Sequence, residues 1–487
     1  MSNSCNRSAT GSCSDAGGFQ TRATGAASHA EGSNTLAEGF ASHAEGFQTN
    51  TRGDLSHTEG TNTVAVGVAS HAEGNLTRTN GDNAHSEGLF TRADGASSHA
   101  EGSGTIAGGA GSHAEGSNTF AANLFAHAEG SLTFAAGIAS HAEGENTTAG
   151  GTVSHAEGQG TRAEGESSHA EGDQTVAGGR ASHAEGSLTE AAGIASHAEG
   201  QRSVASGDLS HAEGNQTDAS GQNAHAEGAL TVASGFTSHA EGVGTLASGF
   251  FSHTEGQSTD ANLLEGVHVM GRFGAANELP YSWYLANGTD ASTPGLAAKI
   301  LSDGNVKIDG TVTSPAADYA EMFETADGHP IEFGYFVALD GHKVRKATAR
   351  DDYIAGVTSA RPAFLSDGGE LRWKGKYAAS EWGEILYRDV TLPPVLDAHG
   401  NTVVPERTER APVLNPVWDP SLTYIPRSQR PEWVAVGMLG KLLVRDNGLC
   451  ESNGYCSPND FGIAAPSEHG YRVLRRTGPN QVLILFR

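Results

Sequence analysis

Seventeen times in succession, at an unbroken spacing of 14 residues, a phrase of the form S-H-A-E-G recurs, its first residue running from Ser28 to Ser252. A unit this short cannot bury a face by itself and must stack on its neighbours, so the period alone predicts a solenoid rather than a globular core. Within the unit 28–41 the pattern is S-x-A-x-G-x-x followed by T-x-A-x-G-x-x. Each coil therefore reads as two alike halves of a five-residue strand and a two-residue turn. Alternation along a strand predicts Ser28, Ala30 and Gly32 inward, with His29 and Glu31 outward. It likewise predicts Thr35, Ala37 and Gly39 inward, where only small side chains fit. Asn123 replaces the second-half glycine once, which suggests a left-handed backbone there. Seventeen coils at ~4.8 Å would make a rod of roughly 80 Å.

The outward places differ between the halves. In the first half they are His and Glu in every copy, as at His29/Glu31, His43/Glu45, His141/Glu143 and His253/Glu255. In the second half they vary freely, as at Leu36/Glu38, Val64/Val66 and Phe134/Ala136. A face that never changes points to one repeated environment, and a subunit interface of His and Glu ladders is the favoured reading, against a solvated polar face made uniform by duplication. A metal ladder is weighed and set aside, because zinc takes fixed tetrahedral sets with no reason to recur in every coil. No metal and no cofactor is expected. Calcium-binding nonapeptide repeats are excluded by the absence of G-G-x-G-x-D.

The period, and the inward S-x-A-x-G places of about residues 19–260, resemble the head domain of trimeric autotransporter adhesins. That resemblance implies a left-handed parallel β-roll in a homotrimer, although His and Glu at the outward places depart from the adhesin pattern. The reading of the whole is all-β, in four parts: a polar segment over 1–18, the rod over 19–260, a β-rich neck over 261–317 and a mainly-β domain over 318–487. In the neck, Asp303-Gly304 between Ile300-Leu301 and Val306-Lys307-Ile308 predicts a hairpin.

Charge and aromatic content divide the chain in the same way. All five Trp lie at or after residue 283, so an ordinary core must sit late. Of the net charge of −27, about −24 falls on 1–317 and about −3 on 318–487. So acidic a rod repels nucleic acid and anionic membranes, leaving proteins, neutral glycans or cations as partners. Met1 to Gly18 lacks the apolar run of a signal peptide and no stretch reaches the length of a membrane span, so no membrane insertion is expected. Cys5/Cys13 and Cys450/Cys456 form two local pairs, each either a disulfide or two thiols.

Walker, G-x-S-x-G, H-E-x-x-H and dinucleotide signatures are absent from the last third. Instead it carries A-D-Y-A-E-M-F-E from Ala317, then D-G-H-P, G-Y-F-V-A-L-D-G, D-D-Y-I-A-G-V, Y-I-P-R-S-Q-R-P-E-W, V-G-M-L-G-K-L-L-V-R-D and Y-R-V-L-R-R. In this order the motifs resemble the intramolecular-chaperone autoproteolytic cleavage domain of phage preneck-appendage and related fibre proteins, over essentially all of 318–487. The resemblance implies a domain that aligns three chains, folds a fibre and cuts itself off at the Ala317–Asp318 bond, with Asp318 and Glu321 as the essential acids. A carboxylate beside its own scissile bond has a high effective concentration, so Asp318 as nucleophile and Glu321 as base for water are both open. Ser314 is a weaker alternative nucleophile. The implied setting is a virion tail or a spore or cell surface, with attachment to a larger particle through the N-terminal region. A rival function is an adhesin-like module that recognises a host receptor or glycan through the variable face of the rod.

Overall fold

The computed structural model describes residues 6–396, 400 and 402–487. The chain divides into two compact units, Met1–Gly310 and Thr311–Arg487.

The first unit is a parallel β-solenoid. Each coil contributes two short strands, such as Leu36–Ala37 and His43–Ala44. Each strand pairs in register with the equivalent strand one coil away, as in His29↔His43, Leu36↔Asn50 and His239↔His253. Most of these strands are two residues long, because the backbone turns after every second or third rung. The ladder continues through single bridges such as Ser33↔Phe47. Ala30, Ala37 and Ala44 are wholly buried and Ser28 and Thr35 nearly so, as the alternation requires. The serine hydroxyls tie down the turn before each strand, Ser28 Oγ donating to Gly25 O at 2.7 Å and Ser42 Oγ to Gly39 O at 2.8 Å.

The glycines follow a different logic from the one the alternation predicts. Gly32 is exposed, not inward, with φ of +104°, and a Cβ there would stand 2.1 Å from Gly46 O. Gly39 is buried with an ordinary φ, yet its Cβ would stand 2.0 Å from Gly53 O. Close coil-to-coil approach demands glycine at both places, and left-handed backbone only at the first. Asn123 accordingly has no left-handed φ; its exposed amide Nδ2 donates to Ala136 O at 2.7 Å. The left-handed non-glycine residues are those in the turns, including Ala27, Asn34 and Ala41 with φ of 58°, 58° and 49°. Their N–H groups donate to the preceding coil, Asn34 to Phe19 O at 2.8 Å and Ala41 to Ala26 O at 2.9 Å, which offsets the strain.

The stack is longer at both ends than the repeat suggests. Ser8–Ala9 and Asp15–Phe19 already pair with Arg22–Ala23 and His29–Ser33. After Gly256 the parallel pairing continues where a stop was expected, with the offset lengthened by one residue: His253↔His268 and Thr254↔Val269, then His268↔Trp283 and Val269↔Tyr284. Larger side chains, Val267, Val269, Tyr284 and Leu301, fill the core of these 15-residue coils. The predicted hairpin closes the unit, Trp283–Asn287 pairing antiparallel with Leu296–Ile300 and that strand with Val306–Ile308.

The second unit is built on the long strand Trp433–Arg445, whose V-G-M-L-G-K-L-L-V-R run alternates into two apolar clusters. Its first half pairs with Asp318–Glu324 and Gly356–Thr358, its second half with Gln481–Phe486. Beyond these lie Phe336–Asp340 and Lys343–Lys346 on one side, and Tyr471–Gly478, Tyr455–Pro458 and Ala464–Ser467 on the other. Phe336, Val444, Val473 and Ile484 sit in one cluster, Val337, Val344, Val434 and Val436 in the other. Arg476 stitches the sheet to a turn, its Nη1 and Nη2 donating to the buried Asp446 carboxylate at 2.9 and 3.1 Å. Among the described residues no helix is long and apolar enough to cross a membrane.

Candidate functional site

The Ala317–Asp318 bond lies at the edge of the second unit, where an exposed segment becomes a buried strand. Ala317 is exposed, whereas Asp318, the first residue of the strand Asp318–Glu324, is 6% exposed. Both carbonyls of this dipeptide are held. Ala317 O accepts the Lys441 N–H at 3.3 Å and Asp318 O accepts the Ala363 N–H at 2.8 Å. Gly440 makes the first contact possible: its φ is +117° and a Cβ there would stand 2.2 Å from Ala317 O. Gly437 makes room for the side chain, since a Cβ there would lie 3.1 Å from Asp318 Oδ2. The two glycines of V-G-M-L-G-K thus cradle the dipeptide, one under the carbonyl and one beside the carboxylate.

Asp318 Oδ2 is buried and has no hydrogen-bond partner within the chain. An orphaned carboxylate oxygen is costly, and such strain is characteristic of reactive groups. A cleft of about 720 Å³ opens over Ala316, Ala317 and Asp318 and is bordered by Arg361, Lys441, Arg445 and Arg475. Cationic residues on the wall of the cleft would favour negative charge developing on the Ala317 oxygen.

Glu321 is placed differently. Burial along the strand alternates, putting Asp318 with Ala320 and Met322, and the half-buried Glu321 with Tyr319 and Phe323 on the opposite face. Tyr319 Oη lies 2.6 Å from Ser366 Oγ on that side. Within one chain the two acids therefore do not converge. Ser314 Oγ accepts the Ala316 N–H at 3.2 Å, a local turn contact with no base beside it. Lys441, Gly440 and Gly437 are missed by motif reading, because only the folded pairing brings them to a bond more than a hundred residues away.

In the solenoid the histidines form one column. From His43 onward the rings stack parallel on their successors with centroids 4.8 Å apart at His43/His57 and 4.6 Å at His239/His253, and His268 extends the column where Trp283 abuts it edge-on at 5.4 Å. Between the rings lie the carboxylates. Glu31 approaches His29 at 3.5 Å and His43 at 3.9 Å, Glu143 approaches His141 at 3.9 Å and His155 at 3.6 Å, and Glu241 and Glu255 approach His253 and His268 at 3.4 Å. Burial, then the neighbouring imidazoles, hold His43, His141 and His253 below the usual histidine range. Glu contacts along the column act in alternation. The carboxyl of Glu73 is pushed up to about 8 and that of Glu143 to about 7 by hydrogen bonds to adjacent glutamates, while those of Glu59 and Glu157 are held down by the same contacts.

Of the cysteines, Cys5 lies outside the described residues and Cys13 is an exposed thiol. Cys450 and Cys456 are buried thiols in one core cluster, without a bond between them, and burial pushes them up to about 11 and about 12.

Comparison with known proteins gives a family for the C-terminal region. Residues 286–481 match the Peptidase_G2, IMC autoproteolytic cleavage domain. The pre-neck appendage protein of Bacillus phage B103 is 30% identical over 191 residues, 37% of this chain and 21% of that protein. The preneck appendage protein of Bacillus phage PZA is 39% identical over 145 residues, 29% of this chain and 16% of that protein. The putative phage-related protein YobO of Bacillus subtilis (strain 168) is 32% identical over 177 residues, 36% and 20% of the two chains. The match thus spans about a fifth of the length of these relatives. Among solved structures, a C-terminal fragment of the bacteriophage phi29 gene product 12 is 31% identical, covering 35% of this chain and all of that one, with a TM-score of 0.29. The pre-mature phi29 gene product 12 is 18% identical over 97% of this chain and 55% of that one, with a TM-score of 0.37.

Proposed function

We propose, from the premise that this chain carries an intramolecular-chaperone autoproteolytic cleavage domain at its C-terminal end, that it is the subunit of a phage structural appendage that matures by cutting itself once between Ala317 and Asp318. The observation that carries the reading is the held dipeptide: a carbonyl gripped by the Lys441 N–H, a cation-lined cleft above it and an orphaned carboxylate on the next residue.

In one route the protonated Asp318 carboxyl attacks the Ala317 carbonyl carbon, its proton passes to the amide nitrogen as the C–N bond breaks, and water opens the resulting anhydride to two carboxyl groups. In the other, Glu321 takes a proton from a water that attacks the same carbon, then returns it to the Asp318 nitrogen as the C–N bond breaks, leaving a carboxyl on Ala317 and an amine on Asp318. The Lys441 N–H stabilises the oxyanion in both. Because Glu321 faces away from Asp318 in its own chain, the second route draws Glu321 from a neighbouring chain, which would couple cutting to assembly. The assembly is a homotrimer, with the C-terminal unit fixing the alignment of three rods and the constant His/Glu face lying between chains.

The test is the intact mass of purified protein on incubation. The expected small fragment begins Asp-Tyr-Ala-Glu-Met, and Asp318→Asn and Glu321→Gln leave folded, uncut chains. Gly440→Ala, which drives a methyl into the Ala317 oxygen, slows cutting by roughly 10²-fold or more. A verified trimer that stays whole, or acid variants that cut at the unchanged rate, refutes the assignment.

A second reading rests on the variable half-coil, which sets Phe120 and Phe134 in partly exposed stacks, with ring centroids 5.3 Å apart. Such a face suits recognition of a receptor or glycan, and a glycan array probed with the cleaved rod tests it.

A further inference from the structure

The column of the rod holds an anomaly that recurs in every coil. From His43 to His268, seventeen ring Nε2 atoms are buried without a hydrogen-bond partner, although a carboxylate lies at 3.4–4.0 Å from most of them. A single orphaned polar atom is a local defect, whereas seventeen in register are a built feature of the stack and call for one explanation. Consecutive His, Glu and His donors also lie within 4.8 Å of one another along the column, as for His127, Glu129 and His141.

We propose that the His/Glu column is an array of sites for a divalent transition metal of the Zn²⁺, Ni²⁺ or Cu²⁺ type, each ion taking one imidazole Nε2 and the two carboxylates that flank it. His43 has both, with Glu31 Oε1 at 3.9 Å and Glu45 Oε2 at 4.0 Å on either side of its Nε2, whereas rungs such as His57 and His169 have one carboxylate within 4.0 Å and must draw in the second on binding. Two donors bound at ~2.1 Å in tetrahedral geometry stand ~3.4 Å apart, so N–O gaps of 3.4–4.0 Å close with small side-chain movements. Two stacked rings 4.8 Å apart cannot share an ion, because donors at ~2.1 Å span at most ~4.2 Å. One nitrogen and two carboxylate oxygens leave a fourth position for water, a donor set these metals accept.

Charge fixes how many sites fill. Dications in adjacent coils would repel at 4.8 Å, while one ion to two carboxylates is neutral. Every second rung fills, and the seventeen-repeat column takes about eight ions per chain. The recurrence that sequence reading counts against a metal is thereby explained: the ligand set is built between coils, so the stack makes it anew at each step.

The experiment uses the full chain, stripped with chelator, dialysed against ZnCl₂ with Mg²⁺ in large excess and measured for bound zinc by mass spectrometry, with isothermal titration alongside. The expected result is about eight Zn²⁺ per chain retained against Mg²⁺. Replacing His127, His141, His155 and His169 together by Asn removes about two of them while the far-UV dichroism and melting stay those of a folded rod. Retention of no more zinc than the Mg²⁺-displaceable background overturns the proposal, whether a partner chain or solvent occupies the column. So does an unchanged count in the variant, which would place the zinc elsewhere or show it to be diffuse counterion.

Discussion

The two units of this chain solve the same problem, pairing every backbone group, by opposite means. In the rod each residue meets its equivalent one coil away, as His29 meets His43, and the core is alanine, serine and threonine. In the C-terminal unit the partners are far apart in sequence: Asp318 meets Gly440 and Gly440 meets Phe486, around a core of Val, Ile and Phe. Over the 14-residue coils the rod's stability is a sum of nearly equal neighbour terms, so none of these coils is indispensable and their repeat alone privileges no register. In the terminal unit single residues hold several strands at once. One unit thus repeats a single local contact, and the other depends on pairings that occur once.

The sharpest break in this comparison should come from one terminal residue. Arg476→Ala leaves the Asp446 carboxylate, whose side chain is wholly buried, without its partner and should cost roughly 3–5 kcal/mol. Chemical denaturation followed by tryptophan fluorescence of 318–487 should show it, with the rod's transition unchanged. Equal loss in both transitions would mean the units are not independent.

Acid should separate the units next, and in the opposite sense. Burial lowers His43, His141 and His253 in the folded rod, so the unfolded chain binds more protons as pH falls through about 6.5. Stability is therefore present above that pH and lost below it. The raised Glu73, Glu101 and Glu143 carboxyls work the other way, favouring the fold while protonated and losing that contribution as pH rises through about 7 to about 8. The melting temperature of the rod should thus peak between these limits. A flat profile from pH 8 to pH 5 would show that the column neither stacks nor shares protons in solution.

The smallest effect should follow the largest deletion. Removing residues 140–153 takes out one whole coil and sets His127 against His155, with the inward pattern intact. Melting should barely move, whereas removal of seven residues sets a His/Glu strand on a variable one and should melt the rod several degrees earlier. Comparable damage from both would contradict the nearest-neighbour account.

Much of the rod is legible in sequence because the repeat prints its contact map: a residue's partner is 14 places on. The inward Ala30, Ala37, Ser28 and Thr35 follow from alternation. Gly32 does not, since its role rests on coil-to-coil backbone distance and a positive φ that alternation does not encode. The coils after Gly256 are hidden by one inserted residue in each step and by larger core side chains, although His268 keeps the column. At the Ala317–Asp318 bond the motif points to Asp318 and Glu321 but not to the cradle. Gly437, Gly440 and Lys441 reach the bond only through a strand pairing that local sequence does not announce. Nor does local sequence reveal that the two acids lie on opposite faces.

The inserted residues, one between His253 and His268 and one between His268 and Trp283, carry a consequence of their own. A stack of identical coils has translational symmetry, and two such stacks can glide past one another one coil at a time with every contact replaced by its copy. The 15-residue coils break that symmetry at one fixed address. Chains displaced by a coil would set a 15-residue step against a 14-residue one there, and the mismatch would be felt at that level and nowhere else. The rod thus carries its own origin of coordinates, a stacking fault from which every other coil can be counted.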